Sequence, residues 1–169
     1  MTGIESSMLR STLYEVVAHD RHGNELWRES VPNLVTTAGL NDSLTQHFKG
    51  SSYTAAWYVG ITAGSPTFAV GDTMSSHAGW TEVAAYDEAN RQTLTLGSVS
   101  AGSVDNSASK AVFTISTDST VIGGAFLVTN NTKSGTTGTL YGGAAFTANR
   151  TLNDNDTLTV TVTLTAANA

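Results

Sequence analysis

The 169-residue chain contains no cysteine. Disulfides, thiol catalysis and thiolate metal sites are thereby excluded. Robustness outside a cell would have to come from elsewhere, and burial of surface between copies is the obvious source. Charge is scarce as well. Asp, Glu, Lys and Arg make up 13% of the residues, against roughly 25% in an ordinary domain. Eight residues are Lys or Arg, and the net charge is −6. They form no basic cluster: Arg21 beside His22, with Lys49, Lys110, Lys133 and Arg150 scattered, is the nearest approach. Binding through nucleic-acid phosphates needs a concentrated cationic face, so nucleic acid is not an expected partner. No apolar run approaches the ~20 residues of a membrane-spanning helix. Residues 1–11 are polar, without the apolar stretch of a signal peptide. A soluble protein made in the cytoplasm, with no membrane partner, is expected.

The richest signal lies at the C-terminal end. Over residues 157–165 threonine and apolar residues alternate without a break. A period of two sends Leu158, Val160, Val162 and Leu164 to one face of an extended strand and the threonines to the other. β-Branched residues suit a pleated, half-buried surface. The rest of the chain repeats this grammar. Residues 13–19 and 25–31 read as a hairpin around Asp20-Arg21-His22-Gly23-Asn24, with Gly23 free to take positive φ. Further strands are predicted over residues 56–62, 80–84, 92–97, 111–116, 121–129 and 139–147. Clusters at residues 103–107, 117–119, 130–135 and 153–156 read as turns.

Residues 36–48 form the one convincing helical segment. Thr36 or Thr37 can cap it, Leu40, Leu44 and Phe48 make an apolar stripe, and Gly50 supplies a stop. A helix this short needs that stripe packed, so it is expected to plug one end or side of the fold. Asp72 is expected to cap a short helical turn reaching His77. Two strands carry glycine pairs, Gly123-Gly124 and Gly142-Gly143. Glycine inside a strand signals either close backbone approach or a bulge, and both remain open. The expected fold is all-β: a jelly-roll-like β-sandwich with one short helix, over residues 12–169, preceded by an N-terminal arm at residues 1–11. An immunoglobulin-like sandwich is the alternative architecture.

No chemistry-bearing constellation accompanies this pattern. His19, His22, His47 and His77 show no His-x-His or His-Glu-x-x-His spacing. No Gly-x-Ser-x-Gly elbow occurs. Asn153-Asp154-Asn155-Asp156 lacks the glycine and distal glutamate of a calcium loop and reads as a tight turn. Asp87 and Glu88 are adjacent, with nothing to drive their pKa values apart. Catalytic, cofactor and metal residues are therefore expected to be none, and no enzyme is expected. Trp57 shares a face with Val59 and Ile61 and reads as core. Trp27 and Trp80 are the candidates for an exposed stacking surface.

Several stretches resemble a known family. They are Asn33-Leu34-Val35-Thr36-Thr37-Ala38-Gly39-Leu40-Asn41-Asp42, then Tyr53-Thr54-Ala55-Ala56-Trp57-Tyr58-Val59-Gly60-Ile61. Ala69-Val70-Gly71-Asp72-Thr73-Met74 with His77-Ala78-Gly79-Trp80-Thr81-Glu82 follows, then Ile122-Gly123-Gly124-Ala125-Phe126-Leu127 and Gly135-Thr136-Thr137-Gly138-Thr139-Leu140-Tyr141. Over residues 12–165 the chain is similar to small virion proteins of tailed bacteriophages, in particular head decoration (cement) proteins. The resemblance implies a virion protein on the capsid surface that bridges major capsid protein subunits without chemistry. Many weak contacts would then add up through multivalency. The low-charge, Thr- and Gly-rich surface points to a homo-oligomer, a dimer or trimer. The alternative is a glycan- or receptor-binding module on a tail or head fibre.

Overall fold

The computed structural model describes residues 8–49 and 56–168. β1 (Met8–His19) and β2 (Glu25–Pro32) form the expected hairpin. Its turn closes through Gly23 N–H to the Asp20 carbonyl, with Gly23 at φ +84°. The Asp20 carboxylate accepts from the His22 and Asn24 amides. β1 begins at Met8, so residues 8–11 of the expected arm belong to a strand that pairs with the chain's last residues. Residues 1–7 lie outside the described residues.

After Pro32 the chain crosses to a second sheet at β3 (Leu34–Val35) and enters α1 (Thr37–Phe48). There follow β4 (Tyr58–Thr62), β5 (Gln92–Thr93), β6 (Ser103–Asp105) and β7 (Ala111–Thr114). β8 (Thr120–Val128), β9 (Leu140–Leu152) and β10 (Thr157–Asn168) complete the fold. The first sheet runs β2-β1-β10-β6, with β7 also pairing with β10. The second runs β3-β9-β8-β4-β5. All named pairs are antiparallel. Among the described residues this is the expected all-β sandwich with one short helix.

Tyr14, Val16, Phe113, Leu158, Val160 and Val162 of the first sheet meet Val59, Ile61, Ile122, Leu127, Phe146 and Leu152 of the second in one buried cluster. The β10 threonines are half-buried because strands flank them on both sides. Between its pairings with β7 and β6, the edge of β10 away from β1 has no strand beside it at residues 161–162. The buried Asn106 side chain fills that gap. It accepts from Val162 N–H at 2.7 Å and donates to the Val160 carbonyl at 3.3 Å.

The second sheet is covered on its outer face as well. Phe68, Met74 and Trp80 pack there against Phe126, Val128 and Leu140. That layer explains the glycines. A Cβ on Gly60 would strike the Phe126 ring, one on Gly143 the Phe68 ring, and one on Gly123 the backbone at Gly64 and Ser65. The β8–β9 register also shifts between Ile122 and Gly124 and between Leu127 and Val128. Close approach and bulging therefore coexist in this pair of strands.

Three local expectations fail here. Asp72 caps no helical turn: Thr73 and Ser76 exchange two backbone hydrogen bonds, and the Asp72 carboxylate accepts from Ala69 N–H and Trp80 Nε1. Residues 80–84 form no regular strand. They run beside β4 through single bonds such as Val83 N–H to the Ile61 carbonyl. Residues 92–97 are paired only at Gln92–Thr93, because the chain then crosses between the sheets. Leu94 N–H bonds to Trp57 of one side and Gly97 N–H to Asp105 of the other. Conversely, β6 occupies part of a predicted turn.

Candidate functional site at the helix end of the sandwich

α1 is pinned to β9 by its cap. The Thr36 hydroxyl accepts from Gly39 N–H at 3.1 Å and donates to the Leu140 carbonyl at 2.5 Å. Thr36 N–H bonds to the Tyr141 carbonyl, and Thr37 N–H to the Val70 carbonyl. Gly39 lies so near β9 that a Cβ there would sit 2.5 Å from the Tyr141 oxygen. The helix therefore approaches through its smallest residue. Leu40 and Leu44, about 100° round the helix from Gly39 and Ser43, are left 43% and 50% exposed. The predicted Leu40–Leu44 stripe thus faces solvent rather than the core. The Phe48 side chain and Gly50 lie outside the described residues, as does Tyr53-Thr54-Ala55.

Asp42, Ser43, Gln46 and His47 form one wall of a cleft of about 540 Å3 at this end. Leu127 and Tyr141 of the second sheet with Trp57 just before β4, and Val104 and Leu164 of the first sheet, form the others. Leu94, Leu96 and Val99 close it along the crossing segment. Trp57 meets Tyr141 edge-to-face at 5.6 Å. Asp42 accepts from Gln46 Nε2 at 3.2 Å. Val99, 75% exposed, stands on the rim, and exposed Val70 lies beside the helix N-terminus.

The histidines are not brought together at this cleft. His47 lines it, whereas His77 stacks on Trp80 at 3.8 Å in the layer outside the second sheet. His77 Nδ1 lies 3.1 Å from the Trp80 carbonyl, which requires the proton on that nitrogen. Among the described residues, no three His, Asp or Glu side chains gather as metal ligands. No described helix is long and apolar enough to cross a membrane.

At the opposite end of β10 the Asx-rich turn ties loops together. Asp156 accepts from Arg21 and Asn153 N–H, Asn153 from Ser119 N–H, and Asp118 from Asp154 N–H. Neither candidate tryptophan presents a free stacking face. Trp80 is only 6% exposed, and Trp27 lies against Phe146 and under the Arg150 guanidinium.

Sequence reasoning missed the most demanding polar group. Arg91 is 2% exposed and pairs bidentately with Glu82 at 2.9 and 2.7 Å. It also donates to the Asn130 and Gly135 carbonyls and rests over Phe126. Beside it, Lys133 donates to the Tyr86 carbonyl and lies over that ring. The root of the long β8–β9 loop is thus locked to residues 82–91. Only the proximity of oppositely charged Glu82 and Arg91 in the chain could have hinted at it. Neither a scan against protein-family models nor a search of curated proteins finds a match for this chain.

Proposed function

We propose that the protein is a phage virion structural protein that cements the head shell by bridging major capsid protein subunits. The observation that carries this reading is the helix end: Leu40 and Leu44 stand exposed on α1, exposed Val70 lies beside its N-terminus and exposed Val99 lies on the rim of the adjoining cleft, on a frame braced by buried polar bonds. Exposed apolar side chains gathered at one end of a rigid frame suit an interaction site. A bridging protein needs such a surface on a scaffold that does not deform, repeated over many copies. The resemblance in the stretches quoted above points the same way.

The test is binding of purified protein to shells lacking it, with imaging of the decorated particle. Leu40→Gln/Leu44→Gln is expected to bind at least tenfold more weakly, while its stability changes by less than about 1 kcal/mol because both side chains are exposed. Removal of residues 1–7 tests whether the terminal segment contributes; residues 8–11 stay because they pair with β10. Undiminished binding of the leucine variant, or density confined to the tail tip, would reject the proposal.

A further inference from the structure

We propose that the β2 side of the sandwich is joined by internal water molecules held in two built sites. Among the described residues, nine buried side-chain polar atoms have no hydrogen-bond partner in the protein, and seven of them lie on this side. The first group sits at the corner where the chain passes from β2 to β3: Thr12 Oγ1, Tyr14 Oη and both amide atoms of Asn33. Asn33 N–H bonds to the Thr12 carbonyl at 2.8 Å, which fixes the two residues side by side. The Asn33 amide lies over Gly142, 2.7 Å from where a Cβ on that glycine would be. Thr12 and Tyr14 share the inward face of β1, and Tyr14 interacts electrostatically with Tyr141, the residue next to Gly142.

The second group bridges β2 to β9: Trp27 Nε1, Glu29 Oε1 and Arg150 Nε. Trp27, Glu29 and Val31 alternate on the inner face of β2. The other Glu29 oxygen accepts from Thr147 N–H at 3.1 Å and from the Thr147 hydroxyl, and lies 3.8 Å from Arg150 Nη2. Arg150 stacks over Trp27. Glu29 therefore caps one backbone N–H of β9, with its side chain only 8% exposed and its other oxygen without a protein partner.

Each joint offers donors together with acceptors, none of them hydrogen-bonded to another. Leaving such groups bare is costly, and buried polar groups are nearly always paired. An anion at the second joint would meet Glu29, and a cation would meet Arg150. A neutral molecule that both donates and accepts satisfies both joints, and the atoms are sealed from bulk solvent. Water has that chemistry, and internal waters usually make about three such bonds.

A high-resolution crystal structure of the full chain tests this directly. A water within hydrogen-bonding distance of at least two of these atoms is expected in each joint. In solution, Tyr14→Phe at neutral pH is expected to lower the folded-to-unfolded ratio about fivefold, through loss of one water-mediated bond. The conservative change keeps the ring and the fold. Dry joints, or these side chains turned to pair directly with one another, would overturn the proposal. So would a folded-to-unfolded ratio left unchanged or raised by Tyr14→Phe.

Discussion

Arg91 and Glu82 form an ion pair whose side chains are buried. Removing one partner leaves a buried charge with no counterpart, which typically costs about 3–5 kcal/mol. Arg91→Met is expected to lose stability on that scale in urea denaturation. Arg91→Met with Glu82→Leu should recover much of it, because the uncompensated charge is gone. The buried phenols act at high pH. Tyr14 is pushed well above its ordinary value, first by burial and then by Tyr141, and Tyr86 is raised by burial and then by Glu82. The folded state therefore holds these protons more tightly than the unfolded chain. That contribution is complete below the ordinary phenol pKa of about 10 and is lost as pH rises above it. Stability should fall across that alkaline range, and Tyr14→Phe should flatten the fall when unfolding is measured from about pH 9 to 12.

At the level of elements, the contest between Gly39 and the leucine stripe decided how α1 sits. The cap through Thr36 and the close contact of Gly39 with β9 outweighed the packing of Leu40 and Leu44. In the second sheet the same device recurs: small residues let the layer at Phe68, Met74 and Trp80 lie close to the strands. Gly60→Ala would drive a methyl group into the Phe126 ring, which itself carries Trp80 and Arg91. The expected cost is about 1–3 kcal/mol from overpacking, read as a lower urea midpoint with an unchanged slope. A loss below 0.5 kcal/mol (roughly the error floor for an inert substitution) would show that the outer layer yields easily.

For the molecule as a whole, the first sheet depends on its last strand. β10 lies between β1 and the β6 and β7 segments, so the chain's two ends meet in one ladder from Met8–Asn168 to His19–Thr157. Contacts this distant in sequence form late and make folding slow, on the millisecond-to-second scale. Ending the chain at Asp156 should abolish cooperative unfolding, seen as loss of a thermal transition by circular dichroism. The full chain should show one.

The strands with strict alternation, the hairpin at Gly23 and the helix capped at Thr36 were legible because each rests on local rules: side-chain period, turn geometry and a hydroxyl three residues from an amide. The same local rules misjudged residues 72–77, 80–84 and 92–97, where the chain takes its hydrogen bonds from distant segments. The helix-end cleft, the burial of Arg91 and the filling of the β10 gap by Asn106 depend on groups brought together from across the chain. Alternation specifies that a strand has an inner face. Which neighbour meets that face, and which helix face stays in water, was decided only when both sheets closed and the smallest residues set the distance of approach.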